Sequence, residues 1–112
     1  MKKENIDIST MAQHELEALK REDSQYLFEQ TVLFFKTDRP VTRSVVVAMI
    51  LLRVTDFECL RLERLDLTDL DLRGVNFCGS VIKNCDFSGA DLSNASFEYT
   101  EIKDCEIGRA HV

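Results

Sequence analysis

From Thr55 to Val112 large apolar residues recur at every fifth position: Phe57, Leu62, Leu67, Leu72, Phe77, Ile82, Phe87, Leu92, Phe97, Ile102, Ile107 and Val112. Two residues before each stands a second series, which runs from Thr55 through Leu60, Leu65 and Leu70 to Ala110. After Leu70 its members are all small or β-branched (Val75, Ser80, Cys85, Ala90, Ala95, Thr100, Cys105, Ala110). Residues between the two series are mostly polar. A helix needs apolar spacing near 3.6 and a strand near 2. A period of five fits neither, so the repeat itself is the structural unit. A short extended piece followed by a tight turn buries such a pattern, with both series pointing inward. Four pieces close a roughly square coil of twenty residues, and twelve pieces make three stacked coils. That spacing lays Phe57, Phe77 and Phe97 over one another. Leu62, Ile82 and Ile102 form a second column, and Leu72, Leu92 and Val112 another. Leu67, Phe87 and Ile107 form the remaining column, of mixed size.

The pieces Ala90-Asp91-Leu92-Ser93-Asn94 and Ala95-Ser96-Phe97-Glu98-Tyr99 resemble the consensus of the pentapeptide-repeat family. Val75-Asn76-Phe77-Cys78-Gly79 and Cys85-Asp86-Phe87-Ser88-Gly89 match it as well. The resemblance covers residues 55–112 and implies a mainly β fold, a right-handed quadrilateral β-helix. Leu60, Leu65 and Leu70 depart from it, because the family prefers a small residue there. Their bulk suggests a wide end that packs against something else.

Residues 1–54 read as a mostly helical N-terminal cap for that end, since a stack of coils needs its open end covered. Thr10 with Gln13 suggests a capping box opening a helix whose apolar side holds Met11, Ala18 and Leu19. Asp23 or Ser24 caps a second helix reaching about Lys36. Leu27, Thr31 and Phe34 share one stripe of it, and Phe28, Val32 and Phe35 share the next. The pair reads as a face docked on the coils, or as a partner-binding or dimer helix. Thr37-Asp38-Arg39-Pro40 stops the helix. Val41 to Val54 is ambiguous. Its valines favour strand, whereas a buried helix from Thr42 to Leu52 would plug the coil better.

The formal charge is −6 and is unevenly placed. Residues 1–54 hold eight basic and eight acidic side chains, while residues 55–112 hold six and twelve. Direct binding to nucleic-acid phosphates is therefore disfavoured, and a basic protein surface would be attracted. The start, MKKENIDIST, has charge but no following apolar run, so it does not read as a secretory leader. The longest apolar stretch, Val45 to Leu52, is too short to cross a bilayer. A cytoplasmic protein with no membrane contact is expected. The four cysteines form no CxxC pair, so no zinc site is expected. Cys85 and Cys105 stack inward within disulfide reach but read as packing residues. Cys59 and Cys78 should point outward.

No catalytic, cofactor or metal constellation emerges, so no enzyme is expected. The expected function is a protein–protein interaction scaffold. Its last coil ends at Val112 without a cap, which points to an end-to-end homodimer. The candidate partner surface is acidic: Asp66, Asp86 and Glu106 on one face, Asp71 and Asp91 on the next, with Asp69 nearby. The same Asp positions also suit bonds to local backbone. Pentapeptide-repeat proteins that protect DNA gyrase resemble duplex DNA, so the resemblance implies an acidic DNA mimic as the alternative. Three coils would span on the order of 14 Å, which is short for that role.

Overall fold

The computed structural model describes residues 4–112, which divide into two compact units on either side of the Arg53–Val54 junction. In the first, a 3-10 turn (Ile8–Thr10) precedes α1 (Gln13–Glu22), α2 (Ser24–Phe35) and α3 (Arg43–Leu51). In the second lie β1 (Arg61–Glu63), β2 (Val81–Lys83) and β3 (Glu101–Lys103). No helix among the described residues is long and apolar enough to cross a membrane.

Helix boundaries follow local chemistry. Thr10 ends the 3-10 turn rather than capping α1. Ala12 is the cap, and the Glu15 side chain accepts from its backbone N–H at 3.0 Å. Lys20 and Arg21 in the last turn of α1 complement the helix dipole. Asp23 opens α2 as the sequence suggests, with Oδ1 accepting from the Tyr26 N–H at 3.1 Å. Of the two α2 stripes, Leu27, Thr31 and Phe34 are buried, whereas Phe28, Val32 and Phe35 are exposed.

The ambiguous segment is α3. Val45, Val46, Val47, Ala48 and Met49 are all buried, so the helix is apolar all round and belongs in a core. That packing outweighs the strand preference of three valines. Thr42 fixes its start: Oγ1 donates to the Ser9 carbonyl at 2.7 Å and accepts from the Val45 N–H at 3.4 Å. Ser44 Oγ donates to the Met11 carbonyl at 2.6 Å. Both hydroxyls bind α3 to the segment around the 3-10 turn. Gln30 is buried with its amide used twice, accepting from Ile6 N–H at 2.9 Å and donating to Asn5 at 3.2 Å.

The expectation of a mainly β chain forming a quadrilateral β-helix is not met. Three helices of 10, 12 and 9 residues stand against three strands of 3 residues each. The strands form one open parallel sheet in the order β1-β2-β3. Elsewhere in the repeat, contact between pieces shrinks to single bridges, such as Asp56 with Asn76 and Asp71 with Asp91. The cause is the turn chemistry. Cys59, Arg64, Asp69, Gly74, Gly79, Asn84, Gly89, Asn94, Tyr99 and Asp104 all have positive φ. A left-handed residue every fifth position cuts each extended piece before a ladder can lengthen.

The twenty-residue return of the chain is nonetheless present in the pairings. Leu62 lies beside Ile82 and Ile82 beside Ile102. Phe57, Phe77 and Phe97 are consecutive neighbours, with ring centroids 5.5 and 5.0 Å apart. The first contact is edge-to-face and the second stacked. We refer to residues 55–74, 75–94 and 95–112 as the first, second and third layers. Small residues of the second series do more than fill space. Ser80 Oγ donates to the Phe57 carbonyl at 2.6 Å, and Thr100 Oγ1 to Phe77 at 2.7 Å. Cys85 Sγ faces the Leu62 carbonyl at 3.4 Å, and Cys105 Sγ faces Ile82 at 3.5 Å. Each reaches back 23 residues to a carbonyl of the preceding layer. The bulky members differ among themselves: Leu70 is buried, whereas Leu60 and Leu65 are half-buried.

Candidate interaction surfaces

The acidic residues singled out above occupy three different settings. Asp66, Asp86 and Glu106 pair in parallel from layer to layer, which aligns their carboxylates in a column. Asp71 and Asp91 form a shorter column that continues into His111. Asp69 sits at a left-handed corner, φ 61°, above Gly89. The structure does not gather the six into one cluster.

These side chains are committed locally. Asp66, Asp71, Asp86 and Asp91 each accept the backbone N–H two residues on, at 2.9–3.2 Å. Neighbouring hydroxyls add to this: Thr68, Ser88 and Ser93 each donate to the same carboxylate at 2.6 Å. Each arrangement is an Asx turn that holds the chain through its corner. The Ser88 hydroxyl and then its N–H hold the Asp86 carboxyl below the usual range. Ser93 does the same to Asp91. Arg73 forks onto Asp71 with Nε and Nη2 each 2.8 Å from an oxygen, and Nε lies 3.9 Å from Asp91. Part of the acidic field is thereby neutralised on that face.

A second surface lies at the third layer, the coil expected from the sequence to be uncapped. Phe57, Leu62, Leu67, Leu72, Phe77, Ile82, Phe87 and Leu92 are buried as their inward register implies. Phe97 and Ile107 are only half-buried. Ile102 is 40% exposed and Val112 88% exposed. The same five-residue register therefore changes environment in the third layer, and no residue-type signal marks the change. β3 is an outer strand of the sheet. An outer strand offers backbone donors and acceptors that a further strand can take.

No group of three or more potential metal-ligating side chains is present among the described residues. His14 lies in α1, and His111 lies at the end of the Asp71–Asp91 column. All four cysteines are free thiols.

Residues 55–105 match a family model described as pentapeptide repeats, in eight copies. Comparison with curated proteins gave no match. The match is consistent with a non-enzymatic repeat protein, and its span lies within the uninterrupted five-residue register of residues 55–112 and its layer-to-layer pairings. The five-residue register of residues 55–105 is thus that of pentapeptide repeats.

Proposed function

We propose that the chain is a non-enzymatic protein–protein interaction scaffold that pairs with a second copy of itself through β3. The observation that carries this reading is one column of side chains. Leu62 and Ile82 are fully enclosed, whereas Ile102, next in register, is 40% exposed. A further strand laid against β3 would enclose it. A two-fold axis through Ile102 makes the pairing antiparallel and self-complementary. It sets Glu101 opposite Lys103 of the copy on both sides, which cross-strand charge pairing favours. A parallel arrangement in that register would set like charges face to face.

Light scattering should return twice the 12.9 kDa chain mass. Ile102→Asp should return the single-chain mass. Glu101→Lys should weaken pairing, and Glu101→Lys combined with Lys103→Glu should restore it. A single-chain mass at every concentration would remove this reading.

The aligned carboxylates of Asp66, Asp86 and Glu106 support a second reading, a surface for a basic protein partner such as a DNA-binding enzyme. It is the weaker of the two, because Asp66 and Asp86 already bind their own turns. Inhibition of gyrase supercoiling, lost with added salt, would favour it.

A further inference from the structure

We infer that Cys59 and Cys78 are the site of a reversible disulfide that bolts the first layer to the second. Two observations place them for it. The Cys59 N–H donates to the Cys78 carbonyl at 3.0 Å, so their backbones are direct neighbours across the layer boundary. The covalent bonds on either side of that hydrogen bond cap the Cα separation at about 7 Å, at the edge of disulfide reach. Independently, Cys59 Sγ lies 3.3 Å from the point where a Cβ on Gly79 would sit. Gly79 directly follows Cys78 and has no side chain, so the sulfur rests over the backbone beside its counterpart. Cys59 is exposed and Cys78 half-buried, so the pair stays open to solvent and to oxidant.

The surroundings select the oxidant. Glu58 and Glu98 occupy the place of Cys78 in the layers above and below. They repel anionic disulfides and leave a small neutral oxidant, hydrogen peroxide, as the fitting one. The exposed Cys59 thiolate attacks one peroxide oxygen. The O–O bond breaks, and the departing hydroxide takes up a proton to give water and a sulfenic acid on Cys59. The Cys78 thiol, held protonated by burial and then by Glu58 and Glu98, attacks that sulfur and gives its proton to the expelled hydroxide, which leaves as the second water. Two thiols and one peroxide become one disulfide and two waters. Cys85 and Cys105 are a poor alternative. Their sulfurs face carbonyls of the preceding layer, and Cys85 is buried.

The test treats the whole protein with hydrogen peroxide and maps its peptides. A link between the peptides holding Cys59 and Cys78 is expected, with a loss of two hydrogens, reversed by dithiothreitol. Cys59→Ser or Cys78→Ser should each abolish it and leave self-association unchanged. The bridged protein should melt higher by on the order of 10 °C, because the link shortens the free unfolded chain. The inference is overturned if both thiols survive, if Cys85–Cys105 forms instead, or if oxidation yields only covalent dimers. A bridged protein with an unchanged Tm would also overturn it.

Discussion

At the scale of single residues, the corners explain most of what the sequence left open. Several left-handed corner positions carry side chains, among them Cys59, Asn84 and Tyr99. Gly89 differs, because a Cβ there would lie 2.0 Å from Asp69 Oδ1. Gly74 has the same left-handed backbone with nothing within 4 Å of that point. Gly89→Ala should therefore cost more than Gly74→Ala in urea unfolding. The shared backbone strain is about 1 kcal/mol, and an excess for Gly89 that disappears in an Asp69→Ala background would identify the contact. Equal costs would show that Asp69 swings away freely. The Asx turns carry a pH consequence. Asp86 and Asp91 are held below their ordinary pKa. Their contribution to stability is present above the unfolded value and is lost as pH falls through the depressed one. In an NMR titration, Ser88→Ala should raise the Asp86 pKa and leave Asp91 in place. The five-residue register showed which side chains face in. The hydroxyl and thiol bonds reaching back 23 residues were not legible, because Ser80 and Cys85 read simply as small.

Among the elements, those with a local terminus signal were the most legible. α2 begins after Asp23 and closes just before Thr37-Asp38-Arg39-Pro40, because an acidic cap and a proline act within a few residues. α1 was placed too early, since Thr10 is used by the 3-10 turn and Glu15 caps from inside the helix. For α3 the sequence left strand and helix open, and surrounding packing decided. The repeat pieces depend on stacking across layers, and Phe77 has an aromatic neighbour on both sides. Phe77→Ala should lower unfolding free energy by about 3–5 kcal/mol. Phe97→Ala should cost clearly less, because that ring is already half-buried. Equal losses in chemical denaturation would mean that the three rings do not share one column.

For the whole molecule, the expected fold class failed for a reason of proportion. The register of twenty was readable from Phe57, Phe77 and Phe97, but the amount of strand it supports was not. Left-handed corners leave room for three-residue strands on one face and single bridges elsewhere, while three helices hold more of the chain. Charge distribution was legible from counting, and it bears on self-association. The formal charge of −6 arises from residues 55–112, so two copies meeting at β3 repel one another at long range. Salt shortens that repulsion, from about 10 Å at 0.1 M to about 3 Å at 1 M. The proposed pairing should therefore tighten as salt is added, measured as a falling dimer Kd. Contact between the acidic column and a basic partner should loosen under the same change.

The reach of each bond across twenty residues makes height an independent variable. A duplicated copy of residues 75–94 would meet Phe57 and Leu62 below and Phe97 and Ile102 above with the same partners as before. Gain or loss of a whole layer leaves both outermost surfaces as they were. Insertion of any number of residues that is not a multiple of five shifts every inward side chain beyond it to a wrong position. Variation in residues 55–112 is thereby channelled into quantised steps, and the gene can change the number of layers far more easily than the length of each.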